Sequence, residues 1–294
     1  MRVGFIGIGV MGWAMAANIA KSGAHELTVF DAGPGVADKF VSEVGGRGAA
    51  TLAEVADNDI VVTMLPTGPI VRQALTEDDG GAFAKAIKPG LIVVDMSSSE
   101  PGGTQALGAE LAKLGAVLID APVSGARPRA IAGTLAIMIG GADEAAIAKA
   151  SPLLLTMGEK LFRTGPLGSG HAMKSLNNYV AATGLAAACE ALMIGRRFGL
   201  DGETMVDILN VSTGRNFATD VLLKQHILSG SFSSGFTLGL MAKDIKIAAD
   251  LGEELDVEAP VSRLVRDRFL AARDELGAGR DNSAVILAWD EGWG

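Results

Sequence analysis

Residues 1–31, MRVGFIGIGVMGWAMAANIAKSGAHELTVFD, decide the fold. RVGFIGI is a short apolar run of strand character, and from Met11 to Lys21 the chain turns Ala-rich and helical. Between them lies Gly7-Ile8-Gly9-Val10-Met11-Gly12, a G-x-G-x-x-G triplet that follows a strand and opens a helix. In that context the first glycine permits the tight turn, the second lets the backbone approach a pyrophosphate, and the third lets helix and strand pack closely. The unsatisfied amides of the helix N-terminus then face the anion. LTVF forms a second strand, and it delivers Asp31 19 positions after Gly12. A carboxylate there accepts hydrogen bonds from the adenosine ribose and repels a 2′-phosphate, and Ala32 supplies no cation to offset this. NAD is therefore expected over NADP. The competing reading is that Asp31 merely opens a turn into Gly33-Pro34-Gly35.

The same alternation continues outward. DIVVTML ends at Pro66, and LIVVDMS, AVLIDAPVS, TLAIMIGG and KLFRTG follow as further strands. Helical stretches separate most of them, near 35–44, 69–76, 104–114 and 144–157. Strands with no inside/outside alternation, interleaved with helices, indicate a mostly parallel sheet covered on both faces. After Gly165 only helical periodicity remains, in a long run at 170–198 and then near 202–209, 220–228, 243–251 and 261–275. The expected architecture is an N-terminal Rossmann-type doubly wound domain, 1–164, and an all-α domain for substrate binding and oligomerisation, 165–294, joined by a long helix starting near residue 170.

Composition agrees and excludes other classes. At 294 residues the chain stands where single cores usually divide, and its 39 glycines and 5% aromatics favour close small-residue packing. A net charge of −9 disfavours a nucleic-acid partner. Cys189 is alone, so no disulfide framework or CxxC pair exists, which fits a reducing cytoplasm. His25, His171 and His226 are too scattered for a metal cluster. The glycines after Met1 break any signal-peptide helix, and Glu190 with Arg196 and Arg197 limits the apolar run at 179–195, so no membrane association is expected.

Six ordered motifs give the chain a recognisable character: GFIGIGVMGWAMAANI, MLP at Met64–Pro66, DMSSSEP from Asp95, DAPVSGARPRAIAGTL from Asp120, GSGHAMKSLNN from Gly168 and MAKD from Met241. In this order they resemble the β-hydroxyacid dehydrogenases, and in particular the 3-hydroxyisobutyrate dehydrogenase-like members, nearly end to end. The resemblance implies NAD(P)-dependent oxidation of a short β-hydroxy acid to its semialdehyde, with Lys174 as the acid/base. An ammonium beside the reacting oxygen stabilises a developing alkoxide and relays its proton, chemistry that suits Lys174. Asn178, four residues on, shares its helical face and would hold the substrate or orient the lysine, while Asn177 points about 100° away and could serve substrate contact or capping. Outside the motif, Lys174 would read as a snorkelling helix lysine. The resemblance also places the substrate carboxylate at Ser124, Gly125 and Ala126, where a hydroxyl and backbone amides can build an anion nest. It sets Leu65, Pro66, Ser98 and Lys243 against the cofactor, with Asp244 pairing a neighbouring cation or capping a turn.

Arg127 and Arg129 depart from the family pattern, which has a neutral loop here. Two guanidinium forks beside the carboxylate site would suit a substrate with a second anionic group; as solvated charges they would do nothing. The alternatives within the fold are reduction of tartronate semialdehyde or a similar aldehyde acid, and, without Lys174 chemistry, a non-catalytic dinucleotide-binding scaffold. The long apolar helix implies a homodimer or homotetramer.

Overall fold

The computed structural model describes residues 1–293 and divides into two compact units, Met1–Lys174 and the chain from Ser175 onward. The change from strand to helical periodicity places the boundary at residue 164; the division into compact units falls later, inside a helix.

In the first unit the strands are β1 (Arg2–Ile6), β2 (Glu26–Phe30), β3 (Arg47–Gly48), β4 (Ile60–Thr63), β5 (Ile92–Asp95), β6 (Val117–Asp120), β7 (Val123–Ser124), β8 (Leu135–Gly140) and β9 (Gly158–Gly165). They form one sheet in the order β3-β2-β1-β4-β5-β6-β8-β7, with β9 on β8. Pairing is parallel from β3 through β6, β8 runs antiparallel to β6 and β7, and β9 lies parallel to β8. The helices are α1 (Val10–Ser22), α2 (Val36–Glu43), α3 (Leu52–Ala56), α4 (Gly68–Thr76), α5 (Asp78–Ala86), α6 (Pro101–Lys113), α7 (Ala126–Ala132) and α8 (Glu144–Leu154).

Successive residues of the central strands feed two different cores. Ile60, Val62, Ile92, Val94 and Ile119 join one apolar cluster with α1 and α8, and Val61, Val93 and Leu118 join another with α3, α4 and α6. Period-two side-chain placement with both faces covered makes these strands continuously apolar, as the sequence reads. Full burial of each such side chain is worth about 1.5–3 kcal/mol.

AVLIDAPVS, read as one strand, is two. Pro122 has no N–H to give a ladder, so β6 stops at Asp120 and the chain resumes as β7, paired antiparallel to β8 through Val123–Ile137 and Ser124–Ala136. Ser124 therefore lies on this short antiparallel strand, four residues past the end of β6. The short elements β3, α3, α5 and α7 lie in stretches read as connections.

The second unit is helical. α9 (Ser169–Phe198) begins in the first unit and continues here, followed by α10 (Gly202–Asn210), an eleven-residue π-helix (Ala218–Leu228), α11 (Leu238–Glu254), α12 (Pro260–Leu276) and a 3₁₀ helix (Asn282–Ala288). The 220–228 region was expected as an α-helix; it begins two residues earlier and is more widely wound. By length and composition α9 could cross a membrane. Its Ala182, Leu185, Ala188, Cys189 and Leu192, at helical spacing, are instead buried against Leu223, Ala242, Ile245 and Phe269 in the core of this unit. Burial, assisted by Glu190, pushes the Cys189 thiol up, keeping it protonated and unreactive.

Candidate active site

The dinucleotide loop follows directly from β1. Gly7 has φ +97°, and a Cβ there would meet the Met64 carbonyl at 2.4 Å. Gly12 is tighter: a Cβ would fall 1.9 Å from the Gly7 carbonyl oxygen. A Cβ on Gly9, by contrast, would meet nothing within 4 Å, and Gly9 and Val10 are exposed. Gly9 also caps α1 without any side-chain hydrogen bond, so the first-turn amides at Val10, Met11 and Gly12 have no side-chain cap. An open approach at the middle glycine beside uncapped amides fits a pyrophosphate. Ile8, buried, ties the loop to the next strand by donating its N–H to Asp31 Oδ2 at 2.7 Å.

Asp31 follows β2 and also accepts the Gly33 N–H at 2.8 Å, so the turn reading and the loop-bracing role coexist. A carboxylate has about four lone-pair sites. Two are used by these amides, which leaves acceptor capacity for ribose hydroxyls.

The other first-unit residues gather at the same carboxyl edge. Leu65 and Pro66 follow β4, and the Leu65 N–H is fixed by Ser97 Oγ at 2.9 Å. Ser98, partly buried, follows β5 between buried Ser97 and Ser99. Ser124 and Gly125 are partly buried and lead into α7 through Gly125 at φ +136° and Ala126 at φ +53°. A non-glycine residue at positive φ stores backbone strain, a feature concentrated at ligand-binding turns. Arg129 is committed to Glu159 at 2.6 Å, whereas Arg127 makes no ion pair among the described residues.

Sequence reasoning missed the polar layer beneath this edge. Thr63, Asp95 and Asp120 end three adjacent strands in register, Thr63 opposite Asp95 and Asp95 opposite Asp120. All three are buried, as are Thr104 and His171. Asp120 accepts the N–H groups of Gly168 and His171, both at 2.8 Å, and so holds the first turn of α9. The signal was present: IVVT, IVVD and VLID each close an apolar strand with a polar residue. Lys174, partly buried, lies one turn beyond His171 in α9.

In the helical unit Asn178 is buried, donating Nδ2 to Asp244 Oδ2 at 2.6 Å and accepting from Asn177 Nδ2 at 3.1 Å. Lys243 Nζ stands 3.2 Å from Asp244 Oδ1. Asp244 is only 2% exposed, so this is a buried ion pair and not a surface one. A buried charge persists only when paired and hydrogen-bonded, and Asp244 has both kinds of partner.

A doubly wound sheet with a phosphate loop at its carboxyl edge, followed by a helical unit, is the architecture of a nicotinamide-dinucleotide-dependent dehydrogenase, and the chain's relatives bear out that class. The NAD binding domain family of 6-phosphogluconate dehydrogenase matches residues 2–165, and the family described as NAD-binding of NADP-dependent 3-hydroxyisobutyrate dehydrogenase matches 168–289. The chain is 36% identical over 296 residues to 2-(hydroxymethyl)glutarate dehydrogenase of Eubacterium barkeri, covering 99% of this chain and 95% of that one. It is 34% identical to 2-hydroxy-3-oxopropionate reductase of Escherichia coli (strain K12), covering 98% and 97%. Among solved structures, Mycobacterium tuberculosis 3-hydroxyisobutyrate dehydrogenase with L-serine superposes with a TM-score of 0.89 at 30% identity over 98% of both chains. The chain belongs to the β-hydroxyacid dehydrogenase family, among its 3-hydroxyisobutyrate dehydrogenase-like members. It is an oxidoreductase acting on a short hydroxyacid with a nicotinamide dinucleotide.

Proposed function

We propose that this enzyme oxidises a short β-hydroxy acid, of the 3-hydroxyisobutyrate kind, to its semialdehyde, with Lys174 as the acid/base and NAD as the preferred dinucleotide. A bound dinucleotide would supply the acceptor for the hydride that leaves the hydroxyl carbon. For this step Lys174 Nζ, as the neutral amine, takes the hydroxyl proton as the C–O bond becomes a carbonyl, becomes the ammonium, and later releases that proton to solvent. Ser124 and the amides about Gly125 and Ala126 hold the carboxylate, with Asn177 and Asn178 completing the substrate contacts. Leu65, Pro66, Ser98 and Lys243 face the cofactor. The observation that carries this reading is the placement of Lys174 within two turns of an α9 N-terminus that Asp120 holds at the end of β6, on the strand edge that also bears the Gly7–Gly12 loop. Ligands of open α/β sheets bind at that edge. Asp31 supports NAD over NADP, because its carboxylate would repel a 2′-phosphate.

A second carboxylate on the substrate is favoured by one further observation. Arg127 follows the strained Gly125–Ala126 turn and forms no ion pair with any described residue, and a relative 36% identical is named for a dicarboxylic hydroxyacid, 2-(hydroxymethyl)glutarate. The similarity to 2-hydroxy-3-oxopropionate reductase supports the same site working in the reducing direction on a short aldehyde acid. Exposed apolar side chains on the helical unit, including Val180, Ile194 and Phe198, support assembly as a homodimer or homotetramer. The buried, protonated Cys189 is compatible with a cytoplasmic setting.

The test is NADH formation from NAD with 3-hydroxyisobutyrate, glycerate, serine and 2-(hydroxymethyl)glutarate, repeated with Arg127→Ala. Turnover of at least one acid supports the reading. A selective rise in KM for the dicarboxylate in Arg127→Ala supports the second anion. No turnover of any acid, or equal activity with NADP, contradicts the corresponding part.

A further inference from the structure

The polar layer under the carboxyl edge takes no part in the chemistry above, yet it is costly to bury. Asp95 is 2% exposed, Asp120 0% and His171 1%. Burying an ionised carboxylate costs several kcal/mol unless its lone pairs are used. Here they are used. Asp95 accepts from the Thr63 hydroxyl at 2.9 Å, the Ser97 N–H at 3.0 Å and the Ser99 hydroxyl at 3.1 Å, while Asp120 takes two amides of the α9 start.

The imidazole closes the layer against α6. His171 Nδ1 lies 2.8 Å from Thr104 Oγ1, which is also 3.1 Å from the Glu100 carbonyl. The Thr104 hydroxyl and the imidazole Nδ1 thus form one hydrogen bond whose direction follows the imidazole tautomer. His171 Nε2 is 3.7 Å from Asp95 Oδ2. The first turn of α9 is thus held from β6 through its backbone and from α6 through a side chain. Gly170 permits the closure, since a Cβ there would fall 2.4 Å from the Met138 carbonyl and 2.8 Å from Asp120 Oδ2. An ordinary helix start is capped by one nearby Ser, Thr, Asp or Asn. This one is fixed by two residues, Asp120 and Thr104, at separations of 48, 51 and 67 positions. What distant clamping adds over a local cap is a fixed register of the helix against the sheet edge.

We infer that His171, together with Thr104 and Asp120, is a positioning device for Lys174. His171 and Lys174 are three residues apart on neighbouring turns, so a slip or rotation of the first turn displaces the lysine directly. A displacement near 1 Å is enough to lower a proton-transfer rate by about 10²-fold. The inference rests on the proposed role of Lys174.

The test uses the full-length enzyme with NAD and its best hydroxyacid, reading kcat, KM, NAD affinity, melting temperature and the primary deuterium isotope effect. Thr104→Val and His171→Leu are expected to lower kcat at least 10-fold and raise the isotope effect, with NAD affinity within twofold of wild type. Thr104→Ser, which keeps the hydroxyl, and His171→Asn, which keeps a polar group able to pair with it, are expected to recover most of the rate. In a Lys174→Ala background, Thr104→Val is expected to cost nothing further. If His171→Leu does not fold, Thr104→Val carries the comparison. Wild-type kcat in Thr104→Val, an equal loss in Thr104→Ser, or an undiminished loss in the Lys174→Ala background overturns the positioning role. Wild-type kcat in Lys174→Ala alone identifies failure of the proposed acid/base instead, and the inference falls with it.

Discussion

Asn178 Nδ2 donates to Asp244 Oδ2 at 2.6 Å inside the helical unit, and Asp244 also receives Lys243. Two residues assigned from separate motifs, Asn178 and Lys243, therefore depend on one buried carboxylate. Asp244→Ala removes the partner of a largely buried ammonium and is expected to destabilise the protein by about 3 kcal/mol. Asp244→Asn keeps an acceptor for Asn178 and is expected to retain more stability while lowering kcat/KM. Thermal melts paired with steady-state kinetics on both variants check this.

The phosphate loop separates two kinds of glycine. At Gly12 a Cβ would strike the Gly7 carbonyl at 1.9 Å, so Gly12→Ala is expected to lower the melting temperature and abolish NAD binding together. At Gly9 the same Cβ meets nothing of the chain. Gly9→Ala is expected to melt near wild type and yet bind NAD at least 10-fold more weakly. Calorimetric titration of NAD alongside thermal melts distinguishes the two.

For Asp31, replacement by alanine removes both a ribose acceptor and the brace on the Ile8 amide. Asp31→Ala is expected to weaken NAD and narrow the discrimination against NADP. Asp31→Asn, which keeps one acceptor oxygen, is expected to narrow it while preserving more loop order. The ratio of kcat/KM for the two dinucleotides is the measurement.

Asp281 gives the helical unit an acid-sensitive tie. Burial alone would raise its carboxyl, but hydrogen bonds from Ser283, Ser234 and Gly235 outweigh it and hold it below the ordinary carboxylate range. A carboxyl lowered on folding contributes stability that is complete above its unfolded value near 4 and is lost as pH falls through the lower folded value. Wild type is therefore expected to melt above Asp281→Asn at neutral pH, with the gap closing as the pH falls below the unfolded value of about 4.

What was legible in the sequence was local. Gly7, Gly9, Gly12 and Asp31 announce themselves because strand, turn and helix lie within one short stretch, and the parallel strands because burial on both faces makes IVVT and IVVD uniformly apolar. The fold class and the family motifs followed from these. What escaped depends on distant partners. Asp95, Asp120, Thr104 and His171 look like ordinary turn or helix residues until the sheet brings strand ends into register. α7 was hidden because Arg127, Pro128 and Arg129 read as a charged loop, and the break between β6 and β7 because Pro122 sits within an otherwise continuous apolar run. The Asn178 partner of Asp244 is likewise invisible in MAKD, because it lies 66 residues away.

The central claim is that Lys174 moves the hydroxyl proton. Lys174→Met, compared with wild type for kcat on the best hydroxyacid and for NAD affinity by titration, tests it most directly. The account predicts kcat lower by about 10²–10⁴-fold with NAD affinity essentially unchanged. A Lys174→Met enzyme turning over at a rate close to wild type would contradict it.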